Sequence, residues 1–155
     1  MKKSIIFFLF YAIALSGLAQ VKTVSLLQAE IGPLFCKYYL SIDIEKKDTA
    51  KYVFIGFQNK EYSAIVDTKS VFFTVTENFA ELLEFNQTLK TALPEMGNKS
   101  SISWVKSYYS VYLHDFNTSL YLKEPDSAGD GYTTLTKKQV EKLIIWIESL
   151  SLIHI

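Results

Sequence analysis

The chain has 155 residues, 49% of them hydrophobic and 15% aromatic, with 16 basic residues balanced by 16 acidic ones. Every basic residue is a lysine, so the guanidinium forks that favour bidentate recognition of phosphate and carboxylate are missing, and nothing in the charge calls for a nucleic-acid or anionic-membrane partner. Cys36 is the only cysteine, which excludes an internal disulfide and leaves the fold to packing alone.

The first segment reads as a secretory signal peptide. Lys2 and Lys3 precede eleven apolar residues, Ile5 to Leu15, which run into Ser16, Gly17, Leu18 and Ala19. Small residues at Gly17 and Ala19 place the cut after Ala19, and the apolar run falls short of the roughly 20 residues of a membrane span. The expected mature chain is therefore residues 20–155, exported to the periplasm or the exterior, without a transmembrane anchor. It loses Lys2 and Lys3 and carries a formal charge of −2. Its length suits a single domain.

From Gln20 to Pro33 the pattern is weak, with a short strand around Val24 to Leu27 and a break at Gly32-Pro33. Leu34, Cys36, Tyr38, Leu40, Ile42 and Ile44 then alternate with Phe35, Lys37, Tyr39, Ser41, Asp43 and Glu45, the period of a half-buried strand. Lys46 to Ala50 turns the chain. Tyr52 to Phe57 is apolar on both parities, as in a central strand, with Gly56 marking a bulge or a close approach. Tyr62 to Val66 and Val71 to Val75 complete a four-stranded meander, and a helix follows that Thr76 caps and Pro94 stops. Beyond Gly97-Asn98 come strands at Ile102 to Lys106, Tyr108 to Phe116, Ser119 to Lys123 and Tyr132 to Leu135, then a second helix. Thr136 and Gln139 form its capping box.

The two halves, about 34–94 and 99–150, share a plan. Thr74-Val75-Thr76 leads into a helix with Phe79, Leu82, Leu83, Leu89 and Leu93 on its apolar face, and Thr134-Leu135-Thr136 leads into one with Val140, Leu143, Ile144, Ile147 and Leu150. Aligned on Thr-x-Thr, the apolar faces slip by one residue. Ile145 and Trp146 widen the second face, so that helix is covered on two sides or meets a partner. The expected fold class is α+β: two consecutive antiparallel meander-plus-helix units, about ββββα-βββ(β)α, forming one domain.

Signs of catalysis are missing. Phosphate-loop, dinucleotide and hydrolase-elbow motifs are absent, and His114 and His154 stand forty residues apart without metal-ligand spacing. Asp126, Asp130 and Gly131 fit a calcium loop, but Ala128 and Lys137 occupy ligand positions, so neither a metal nor another cofactor is expected. Cys36 falls on the apolar parity, where a thiol packs and is inert. The group that stands out is aromatic. Tyr109, Val111 and Leu113 point one way and Tyr108, Ser110, Tyr112 and His114 the other, and with Trp104 and Tyr121 on neighbouring strands they suggest a ligand-binding sheet face.

Thr134-Leu135-Thr136 followed by Gln139, Val140 and Leu143 is similar to the strand-to-helix junction of PC4-like domains, and the succession of strands and helices resembles the plan of the Whirly and PC4-like single-stranded DNA-binding families. That resemblance implies a basic, aromatic sheet face and a homodimer. The residues themselves point first to an exported, non-catalytic domain that binds a protein or glycan. Single-stranded nucleic-acid binding is the alternative, and a small secreted hydrolase using His114 the third.

Overall fold

The computed structural model describes residues 21–61, 67–75, 80–98, 101–106, 109–113, 119–123 and 131–152. Four strands come first, β1 (Val21–Ile31), β2 (Leu34–Asp43), β3 (Asp48–Gln58) and β4 (Thr68–Val75), then helix α1 (Ala80–Glu95). The second half repeats the order with β5 (Ile102–Lys106), β6 (Tyr109–Leu113), β7 (Ser119–Lys123), β8 (Tyr132–Thr136) and helix α2 (Lys137–Leu152). Each set of four strands forms its own antiparallel sheet, paired in sequential order. This is the α+β architecture of two meander-plus-helix units that the sequence led us to expect.

The first meander differs from that expectation in which strands build it. The weakly patterned N-terminus is an eleven-residue edge strand. Residues 21–26 are exposed, so no alternation between buried and exposed sides marks them as a strand. Gly32-Pro33 is a hairpin turn and no break: Ile31 pairs with Leu34 across it, and Gly32 has φ +59°. Glycine tolerates that angle at the first central position and proline's fixed φ suits the second. A Cβ on Gly32 would also overlap the Gln139 side chain. β3 then pairs directly with β4, and the strand expected at 62–66 lies outside the described residues.

The helices repeat more closely than their sequences do. Leu82, Phe85, Asn86, Thr88, Leu89 and Ala92 are buried in α1, and Val140, Leu143, Ile144, Trp146, Ile147 and Leu150 in α2, each 58 residues further on. Alignment on Thr-x-Thr is therefore two residues out of step with the buried faces. β8 runs straight into α2, whereas residues 76–79 separate β4 from α1. Leu83, expected on the apolar face of α1, is accordingly 51% exposed, and Phe85 takes its place in the core. Phe79 and the Thr76 cap fall outside the described residues. Pro94 lies inside the last turn of α1, which ends at Glu95, and Gly97, with φ +94°, turns the chain. In α2 the expected capping contact is present, with Thr136 N donating to Gln139 Oε1 at 2.8 Å.

The buried apolar side chains of both halves form one cluster. α1 lies against β4 and β6, and α2 against β1, β7, β8 and α1, so each helix touches both sheets. Three aromatic rings tie the halves together: Phe85 of α1 stands 5.2 Å from Phe73 of β4 and 4.8 Å, edge to face, from Tyr109 of β6. Lys90 Nζ reaches Glu148 Oε1 at 2.5 Å between equivalent positions of the two helices.

A polar joint completes the connection. Asn59, 1% exposed, follows β3 and accepts at Oδ1 from Glu61 N (3.0 Å) and Tyr132 N (3.2 Å). Its Nδ2 donates to Asp67 Oδ2 at 2.9 Å. Lys60 N donates to Tyr132 O at 2.9 Å. The Asn59 side chain thus satisfies the Glu61 and Tyr132 amides, and a backbone bond satisfies Lys60 N, as burial requires.

Candidate functional site

Strand register sorts the candidate residues of the second sheet. Tyr109, Val111 and Leu113 face the core, as their parity implied, and Tyr112 pairs with Tyr121 on the opposite, outer side. Trp104 pairs with Val111 and packs partly against the core, so it does not share a side with Tyr112 and Tyr121. The sequence placed Trp104 on a neighbouring strand, but its side depends on register, which only the pairing supplies. Tyr108 and His114 lie outside the described residues, as does the acidic loop at 124–130. The outer side gains Tyr132, whose ring is 5.7 Å from that of Tyr121, and Thr134, which accepts from Lys60 Nζ. Ser103, Tyr112, Tyr121 and Thr134 form one cross-strand row. It is a hydroxyl-rich surface with half-buried phenols.

The outer side of the first sheet is different. Its rows set Phe35 beside Gly56, Tyr39 beside Tyr52, and Phe54 between Lys37 and Phe72. Phe35 and Phe72 are 43% and 42% exposed, and Tyr39, Tyr52 and Phe54 are half-buried. Tyr52 lies 5.5 Å from Tyr39 and 5.1 Å from Phe72, the second pair stacked at 27°. Near-parallel rings this close cover part of one another's faces. Lys37 Nζ sits 5.7 Å from the Tyr39 ring centroid, within cation–π range. Burial first, and then the neighbouring phenol of Tyr52, raise the Tyr39 pKa, so this phenol stays neutral.

Gly56 belongs to this surface. A Cβ there would collide with the Phe54 ring, so glycine lets that ring lie along the sheet. The register through Gly56 is unbroken, which decides the sequence's choice between a bulge and a close approach for the latter. The aromatic ladder is hard to see in the sequence because its members occupy the parity that otherwise reads as solvent-facing. Phe35 and Tyr39 in β2 and Phe72 in β4 were the available signal: large aromatics where a one-sided sheet carries polar residues.

Cys36 is fully buried on the inner side, and desolvation pushes its thiol up to about 12, as for a packing residue and not a nucleophile. Among the described residues no three histidine, cysteine, aspartate or glutamate side chains cluster to hold a metal, and no helix is long and apolar enough to cross a membrane. No protein-family model, curated protein or solved structure matches the chain. The functional reading rests on the surface itself.

Proposed function

We propose that the chain is an exported, non-catalytic binding domain that holds a partner protein on the outer side of its first sheet. The observation that carries this reading is the solvent-facing row of Phe35, Tyr39, Tyr52, Phe54 and Phe72. Contiguous exposed apolar surface of this kind marks interaction sites, and aromatic centres with polar rims supply most of the energy at protein interfaces. Ser41, Ser70, Thr74 and Gln28 surround the rings on the same side. The overlap of the rings favours a protein over a glycan, which stacks on open ring faces. The signal-peptide pattern of residues 1–19 supports an encounter in the periplasm or outside the cell.

Single-stranded nucleic acid is the second reading, favoured by the same aromatic sheet with Lys37 and by the resemblance to Whirly and PC4-like domains. A photoreactive residue at position 72 separates the readings. Crosslinking of one discrete envelope or extracellular protein, abolished by Tyr52→Ala, is the expected result. Binding confined to a glycan array overturns the protein reading, and so does a complex with single-stranded DNA that persists at physiological salt.

A further inference from the structure

The hairpin between β2 and β3 ends in an exposed tip. Residues 44–47 form its turn, with Lys47 at φ 53°, and every residue from 44 to 49 is exposed. Thr49 sits just inside β3, beside Ile42 and on the inner side of the sheet. Described pairing with β4 reaches only Lys51 and Val75, so among the described residues 48–50 are paired on one edge alone. Thr49 N donates to Asp48 Oδ1 at 2.8 Å. No described residue engages the Thr49 hydroxyl or Asp48 Oδ2.

We propose that Thr49 is a modification site, an acceptor of O-linked saccharide from a transferase on the export route. Asp48-Thr49-Ala50 resembles the acceptor tripeptide of O-glycosylated exported proteins, an Asp, then Ser or Thr, then a small apolar residue. The geometry gives each position a part. Thr49 Oγ1 attacks the anomeric carbon of a sugar carried on a diphosphate; the new C–O bond replaces the bond to the diphosphate, which leaves with the electron pair, and the hydroxyl proton passes to a base of the transferase. Asp48 holds the Thr49 amide with one oxygen and keeps the other to accept from the transferase. Ala50 adds no bulk beside the acceptor. The chain carries its own comparison in Asp67-Thr68, where Thr68 is equally exposed but Asp67 Oδ2 is taken by Asn59 Nδ2 at 2.9 Å and a lysine, Lys69, follows. Thr49 lies on the side opposite Tyr52 and Phe72, so a saccharide there leaves the aromatic row open.

This modification rests on the export reading, and the same spectra report the two separately. The chain purified from the cell that natively exports it, measured by intact mass and by electron-transfer fragmentation, should begin after Ala19 and carry a saccharide on Thr49 and none on Thr68. Thr49→Val keeps the β-branched shape suited to a strand and removes the nucleophile, so the Thr49-linked mass should be lost completely. Thr49→Ser should retain it. Asp48→Asn keeps an oxygen for the Thr49 amide but not the charge, and most of the added mass should be lost. A chain cleaved after Ala19 and bare at Thr49 overturns the proposal, including one that carries saccharide only on Ser127 of Asp126-Ser127-Ala128. A chain that retains residues 1–19 overturns the export reading with it. Equal occupancy of Thr49 and Thr68, or full occupancy in Asp48→Asn, also overturns the proposal, because exposure alone would then select the acceptor.

Discussion

The outer side of the first sheet carries Phe35, Tyr39, Tyr52, Phe54 and Phe72, and that of the second carries Ser103, Val105, Ser110, Tyr112, Tyr121, Lys123, Tyr132 and Thr134. The inner sides do not diverge in this way. Both are aliphatic and aromatic, both meet a helix buried at matching positions, and they share one core. The difference shows which side of each sheet answers to the fold. Inner residues must fill a common interior, whereas an outer side is free to become hydroxyl-rich or to gather rings. Exposed hydroxyls lose little by facing water. Rings partly in solvent forgo part of a burial worth about 1.5–3 kcal/mol per large side chain, which a partner surface would recover.

The likeness of the inner sides can be broken most strongly at the core. Phe85→Ala should cost about 3–5 kcal/mol and Leu143→Ala, its counterpart in α2, about 2–5 kcal/mol. Because the halves share a core, chemical denaturation should show one cooperative transition lowered by either change, and two separate transitions would contradict a common interior. Asn59→Ala strips the joint between β3 and β8 of its acceptor and donor, leaving the Glu61 and Tyr132 amides and the Asp67 carboxylate short of a partner. A loss of about 1–3 kcal/mol is expected by the same measurement.

Alkali should act on the inner side of the first sheet through Cys36. Its folded pKa lies above the ordinary value of 9.0, at about 12, so the unfolded chain releases this proton first. Stability from the thiol is therefore intact below pH 9 and falls by about 1.4 kcal/mol per pH unit as the pH rises toward 12. Burial also raises Tyr38 and Tyr109, adding to the loss at higher pH. Cys36→Ala should flatten the early part of that slope in unfolding curves measured against pH. The smallest effect belongs to the junction that distinguishes the halves: Gln139→Ala, which leaves Thr136 N without its acceptor, should lower the midpoint by the equivalent of about 0.5–1.5 kcal/mol.

Much of the fold was legible, and the reasons vary by element. The five-residue strand β7 and the face of α2 were plain because each carries one clear period, whereas β5 has apolar residues on both parities and its boundary with β6 around Lys106-Ser107 was open. β1 was not, because an edge strand exposed on both sides has no period to read, and Gly32-Pro33 at its end looks like an interruption unless the pairing of Ile31 with Leu34 is known. Leu83 misled because it continues a leucine run, while the burial of Asn86 and Thr88 in α1 breaks the apolar pattern that would have located the true face. The candidate site suffered from the same limit. Tyrosines in a strand announce themselves, but the side that Trp104 takes depends on register with β6, and the ladder of Tyr39, Tyr52 and Phe72 exists only across three strands.

The measurement that bears most directly on this account places a photoreactive residue either at position 72, on the aromatic side, or at position 121, on the hydroxyl-rich side, in cells that export the chain. The account predicts a discrete protein adduct from position 72, lost when Tyr52→Ala is added, and none from position 121. An adduct from position 121 alone, or equal adducts from both, would contradict it.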